Sequence, residues 1–196
     1  MVEAPRERLL RAVVADIAAH GLGDRSLRAL AEGVGTSHRM LLYHFGSKEG
    51  LLAEVVKTVE ADQRGVLAEL AASDAPPAVS LRRFWAGLAD ARTHAHIRLF
   101  FELVAAALQG RPGTEGLRET LVEPWIEVVA AHGLRSGLPV EVARAHARLG
   151  MAVTRGLLLD LLATGDRAGV DAAMDAFLDA FVGPVPGDAV DQAQAR

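Results

Sequence analysis

Glycine and proline cut this chain at short intervals, and between the cuts apolar residues recur every three or four positions. The breaks fall at residues 21–23, 33–35, 46, 74–77, 110–113, 133–139, 165 and 183–186. Glycine tolerates the positive φ of a helix end, and proline cannot continue the hydrogen-bond ladder. Leu9, Leu10, Val13 and Ile17 show the three-and-four step near the start; Val170, Ala173, Phe177 and Phe181 repeat it near the end as one stripe. That period buries one face of a helix. Alternating runs of β-branched residues, the strand signature, are absent. The chain is expected to be all-α, with about nine helices near 5–20, 26–33, 37–44, 47–72, 77–92, 94–109, 114–132, 139–164 and 167–182. The polar stretch 184–196 is expected to fray.

Composition removes several classes of function. A chain of 196 residues, 51% hydrophobic, can bury a core without disulfides or a structural metal. With no cysteine, a disulfide framework, a thiolate zinc site, an iron–sulfur cluster and a cysteine nucleophile are excluded. The first ten residues hold Glu3, Arg6, Glu7 and Arg8 and lack the apolar core of a signal peptide. The best membrane-span candidate, 151–162, is interrupted by Arg155 and Asp160. The reading is a cytoplasmic protein without a membrane partner. No glutamate is followed at the third position by histidine, and no phosphate-cradling glycine loop or His-Glu-x-x-His motif occurs. Neither catalytic residues, metal nor cofactor is expected.

The net charge of −4 conceals an asymmetry. Residues 1–50 carry seven Lys/Arg against six Asp/Glu, and residues 51–196 carry fourteen against nineteen. From Arg25 to Lys48 four basic residues face one acid, Glu32. A small anion-contacting module on an acidic body fits this distribution. Within that stretch Ser26 can cap a short helix whose inner face is Leu27, Leu30 and Ala31. Gly35 suits a tight turn, and Ser37 can cap a second helix from His38 to His44. Two short helices joined by such a turn form a helix-turn-helix, a shape that enters the DNA major groove. With Leu41 and Phe45 inward, His38, Arg39, Met40, Tyr43 and His44 remain toward the outside. Arg39 could bridge guanine O6 and N7. Tyr43, His44 and Lys48 offer phosphate contacts, and the start of the helix after Ser47 offers free backbone N–H groups. A three-helix bundle with a polar face would read similarly.

Residues 6–53 resemble the DNA-binding domain of the tetracycline-repressor (TetR/AcrR) family. The matching residues are Gly21, Leu30, Ala31, Gly35, Ser37, Leu41, His44, Phe45, Ser47, Lys48, Glu49, Leu51 and Leu52. The resemblance implies base or phosphate contacts from Arg28, Ser37, Arg39, Tyr43, His44 and Lys48. The sequence departs from the family at Leu42, where a tyrosine is usual, and at Arg39, where a small residue is common. The implied organisation is a helix-turn-helix domain over 1–50, a ligand-binding and dimerisation domain over 51–183, and the tail. The implied function is a homodimeric repressor that a small-molecule effector releases from a palindromic operator. In that scheme, ligand binding shifts the segment 95–109 against the long helix that starts at Ser47.

Two sets of residues are candidates for the remaining roles. Ala143, Ala147, Gly150, Leu157, Leu158 and Leu161, with Ala173, Phe177 and Phe181, could pair two copies as a four-helix bundle; alternatively these stripes face their own core. For an effector, Phe84, Trp85, Leu88, His96, Phe100, Phe101, Glu102, Trp125, Met151, Thr154 and Arg155 mix aromatic and polar groups as a small-molecule site does. Phe100 and Phe101 could equally be core. A ligand-independent DNA binder or an activator, and a helical adaptor with a degenerate head, are the alternative functions.

Overall fold

The structure, a computed structural model, describes residues 5–182 except Ser136; the stretch expected to fray, 184–196, lies outside the described residues. Every described element is helical: α1 (Pro5–His20), α2 (Leu27–Gly33), α3 (His38–Phe45), α4 (Lys48–Ala72), α5 (Pro77–Leu88), α6 (His94–Leu108), α7 (Leu117–Thr120), α8 (Glu123–Arg135), α9 (Val140–Thr164) and α10 (Arg167–Phe181), with a 3-10 turn at Ala91–Thr93. The expected all-α class holds. Contacts gather the chain into two units. One comprises residues up to Asp62 with Ala91–Leu121, the other Gln63–Asp90 with the residues from Val122 on.

In the first unit, α1 buries Leu10, Val13 and Ile17 along one stripe. Leu30, Leu41, Leu51 and Val55 are fully buried, so α2, α3 and the start of α4 each contribute to the core. α6 adds Ile97, Leu99 and Leu103. A charged group is spent inside: Asp16 is buried and accepts a hydrogen bond from Arg25 Nη1 at 2.5 Å. Partnering the carboxylate offsets the cost of desolvating it. It also ties the segment between α1 and α2 to α1.

In the second unit, α8 and α9 pack through small residues. Ile126, Ala130, Ala143 and Ala147 form a buried cluster, with Val122, Val129, Leu138 and Met151 against it. Gly133 permits the approach, since a Cβ there would sit 3.2 Å from the Ala143 Cβ and 3.1 Å from Leu138 Cδ1. α10 buries Val170, Met174 and Leu178, four residues apart. Its aspartates, also four apart, receive α5: Asp171 Oδ1 accepts from Trp85 Nε1 at 2.6 Å, and Asp175 and Asp179 accept from Arg82 at 2.7 Å each.

Three expectations need correction. The helix expected over 114–132 is two helices, α7 and α8. Pro124 has no N–H and its ring collides with the carbonyl four residues back, so the chain breaks and restarts just before it. The helix expected over 77–92 ends at Leu88; the next carbonyl, Ala89 O, accepts instead from Arg167 Nη1 at 2.6 Å. On α10 the core stripe is Val170, Met174 and Leu178, whereas Ala173 and Phe181 are exposed and Phe177 half-buried.

Candidate nucleic-acid interface

The geometry of the two short helices follows from their caps. Ser26 Oγ accepts the Ala29 N–H, and Ser37 Oγ accepts the Met40 N–H, both at 3.2 Å. Each serine has extended backbone and satisfies one of the orphan donors of a helix start. Between them Gly35 has φ +67°. It closes α2 with Thr36 N–H donating to the Ala31 carbonyl at 2.9 Å, the pattern that favours glycine at this place. The caps and the turn occur as the sequence indicates.

The direction of α3 is set by Leu41 and Phe45, both buried. At 100° per residue the opposite face is Arg39 and Tyr43, flanked by Met40 and Leu42. Exposure agrees: Tyr43 is 79% exposed, Met40 41% and Leu42 38%. His38 and Arg39 are exposed at the helix start, as is Ser37 before them. His44 is half-buried, its ring edge-on to Tyr43 with centroids 5.0 Å apart. Ser37 is committed to its cap through Oγ. Arg28 stands exposed on α2, and Lys48 half-buried at the start of α4.

Charge pairing separates the available cations from those already used. Arg25 is bonded to Asp16, Arg6 donates to Glu54 Oε2 at 2.7 Å, and Arg11 pairs with Asp62. Among the described residues Arg28, Arg39 and Lys48 form no ion pair. The basic excess of the motif is thus smaller than the sequence count suggests, but what remains lies on α2, α3 and the start of α4. An exposed guanidinium beside a tyrosine, with free cations nearby, can read a base edge and grip phosphates.

A cleft of about 350 Å³ lies alongside, with Arg6, His44, Ser47, Glu54, Lys57 and Glu115 among its lining residues. Burial would raise the Glu54 carboxyl, but hydrogen bonds from Arg6 and Lys57 outweigh it and hold the group below the usual carboxylate range. The segment after α6 reaches this region. A Cβ on Gly113 would lie 2.8 Å from Glu49 Cβ and 2.9 Å from both Gly50 N and Ser47 Oγ. Sequence reasoning treated Gly113 only as a break; the signal it offered was its membership of a glycine-rich run facing no pattern of its own.

The candidate effector residues divide between the units. In the first, His96 is half-buried, with burial lowering its pKa and a hydrogen bond to the Val14 carbonyl of α1 partly offsetting this, while its Nε2 is buried without a partner. Phe100 and Phe101 meet edge to face at 5.3 Å, and Glu102 is exposed. In the second, Phe84 and Trp125 have ring centroids 6.0 Å apart. Trp85 is turned inward onto Asp171, so its N–H is already occupied. Leu88, Thr154 and Arg155 are half-buried, and Met151 packs on the α8–α9 cluster. Arg64, absent from the sequence reading, stacks on Trp125 at 5.7 Å.

The candidate pairing residues divide too. Ala143, Ala147, Leu158 and Leu161 are at most 7% exposed and face the interior of their own unit. Gly150 and Leu157 are half-buried. A second stripe of α9 is exposed instead: Val142, Ala145, Leu149, Ala152, Gly156, Leu159 and Ala163. Its steps alternate three and four, a heptad spacing. Beside it Phe177 and Phe181 stack with centroids 5.0 Å apart, Phe181 meets His146 at 6.1 Å, and Ala173 is exposed.

No helix among the described residues is long and apolar enough to cross a membrane. Residues 9–55 match the model of bacterial regulatory proteins of the tetR family. No curated protein matches the chain. Several solved structures share its fold. A transcriptional regulator from Rhodococcus sp. Rha1 is 23% identical over 93% of this chain and 100% of that one, with a TM-score of 0.71. A TetR transcriptional regulator from Legionella pneumophila is 19% identical over 90% and 98%, with a TM-score of 0.64. A TetR-family transcriptional regulator from Pectobacterium atrosepticum is 20% identical over 89% and 90%, with a TM-score of 0.65. Residues 9–55 thus carry the N-terminal domain of the tetR family of bacterial regulatory proteins, and the chain as a whole shares the helical fold of these structures.

Proposed function

We propose that this protein is a sequence-specific DNA-binding repressor that acts as a homodimer and leaves a palindromic operator when a small-molecule effector binds. The observation that carries the reading is the outer face of α3. Arg39 and Tyr43 stand exposed on a helix whose start is capped and whose inner face is buried, with Arg28 and Lys48 unpaired nearby. Arg28, Tyr43, His44 and Lys48 serve phosphates; Arg39, with His38 and Met40, faces base edges; Ser37 orients the helix start.

A single short reading helix covers only a few base pairs, so useful specificity calls for two half-sites about one helical turn apart. The heptad stripe of α9 supports pairing of two copies. Leu149 is 40% and Leu159 53% exposed, and Phe181 at 49% extends the same apolar surface. Large apolar side chains left exposed along one helix face favour an interaction site. Gly150, Ala173, Phe177 and Phe181 keep their place in this interface, joined by the exposed stripe of α9.

Effector release is supported by how α6 is held within the first unit. His96 bonds α1, and Gly113 seats the following loop on the start of α4. A displacement of α6 would therefore be felt at both ends of the DNA-reading head. An effector shifts that equilibrium only through its different affinity for the bound and released shapes.

Selection of bound duplexes from a random pool, at defined salt, tests the reading. A palindrome with two half-sites is expected. Recovery of nothing beyond a salt-sensitive background would overturn it.

A further inference from the structure

Arg64 carries a charge that the described protein leaves unanswered. It lies on the second half of α4, in the second unit, with its guanidinium carbon 5.7 Å from the centroid of the Trp125 ring. Trp125 is itself 7% exposed, and Phe84 packs against it at 6.0 Å between centroids. Arg64 Nη1 is buried and has no hydrogen-bond partner. Among the described residues Arg64 forms no ion pair.

Arginine cannot shed its proton, so the group stays charged in this apolar setting. A cation–π contact offsets part of the desolvation. It does nothing for an N–H donor lying in the plane of the guanidinium. Two other half-buried arginines of this unit, Arg82 and Arg167, are balanced by carboxylates. Arg82 also has a bare Nη1, but its Nε and Nη2 donate to Asp175 and Asp179. Arg167 donates to Asp171 and to the Ala89 carbonyl. Arg64 alone among these three has the aromatic contact without the carboxylate.

We infer that Arg64 anchors the carboxylate of a small apolar acid, whose hydrocarbon or aromatic body lies against Phe84 and Trp125. The indole covers the face of the guanidinium and leaves its edge to meet a carboxylate, the geometry of paired N–H···O bonds. A monoanion balances the single charge, where a phosphate dianion would exceed it. The inference names the chemical class of the effector and rests on the effector reading for its biological meaning.

Titration calorimetry on the full-length protein, without DNA, tests it with benzoate, phenylacetate, octanoate and decanoate. Benzyl alcohol and octanol serve as neutral counterparts, and inorganic phosphate as a bare anion. Saturable binding of at least one acid is expected, at least tenfold weaker in Arg64→Gln and intermediate in Arg64→Lys, which keeps charge but loses the planar fork. A second readout needs no ligand: Arg64→Met removes a half-buried charge whose Nη1 is buried and unpartnered, and should raise the melting temperature of the empty protein. The assignment is overturned if none of the four acids binds, if an alcohol or phosphate binds as well as the acids, if Arg64→Gln binds like the parent, or if Arg64→Met melts lower. Acid binding that leaves operator affinity unchanged would sink the release mechanism while leaving the Arg64 site standing.

Discussion

Gly113 lies against Ser47 so closely that a Cβ on the glycine would come within 2.9 Å of the serine hydroxyl oxygen. That same hydroxyl accepts the Gly50 N–H at 2.9 Å and so caps α4. Gly113 also has φ +86°, a backbone state that L side chains rarely adopt. One glycine therefore serves both the turn after α6 and the fit of that turn on the start of the helix following the DNA-reading head.

Gly113→Ala is expected to lose more stability than Gly110→Ala. Gly110 also has positive φ, +66°, but a Cβ there meets nothing within 4 Å. The Gly110 variant should show only the backbone penalty, about 1 kcal/mol. The Gly113 variant should add the steric displacement of Glu49 and Gly50 and alter operator affinity as well. Urea melts and DNA titrations of both variants decide this; equal losses would remove the contact from the mechanism.

The DNA-reading head was legible because local rules and packing agree there. Ser26 and Ser37 sit where caps are needed, Gly35 takes the positive φ its turn demands, and Leu41 with Phe45 aims α3. What composition could not show was the use of Arg25, which a count assigns to DNA and the fold assigns to Asp16. The body was less legible. α9 carries two apolar stripes, and neither periodicity nor propensity says which is core. The answer comes from across the cluster, where Gly133 lets α8 close on Ala143. The site at Arg64 was invisible for the same reason, since its partner Trp125 lies 61 positions away, by subtraction of the two residue numbers.

Arg39→Ala should cost about 1–3 kcal/mol of discrimination between operator variants if the guanidinium bridges a guanine. Lys48→Ala should weaken all sequences alike and flatten the salt dependence by about one unit of slope. Competition binding over a salt series separates the two. A uniform loss for Arg39→Ala would move it to the phosphate contacts.

His96 predicts an acid-side loss of stability in the first unit. Burial lowers its pKa, and the bond to the Val14 carbonyl only partly offsets this. The neutral ring is thus preferred when folded, so its contribution is complete above the unfolded value of about 6.5. It declines as pH falls from there through the lowered folded value. His94 on the same helix and Asp16 and His20 on α1 are the titratable neighbours to control for. Melting of His96→Gln between pH 7.5 and 5.5 should show a shallower decline than the parent; parallel curves would assign the dependence elsewhere.

Pairing through the exposed stripe of α9 makes a prediction that core packing does not. Leu149 and Leu159 lie on the heptad face, 40% and 53% exposed, whereas Ala147 two residues away is fully buried. A glutamate at either exposed position meets water in the single chain but would be desolvated opposite a second copy. Leu149→Glu with Leu159→Glu should therefore keep its helical signal and melting temperature near those of an isolated chain while sedimenting as a monomer. Its operator affinity should fall on the order of a hundredfold or more, because the second half-site no longer benefits from the first. Ala147→Glu should instead unfold the second unit, having no room and no partner for its charge. If the double variant remains a dimer, the partner surface lies elsewhere and the apolar face of α9 must be covered by something other than a copy of itself.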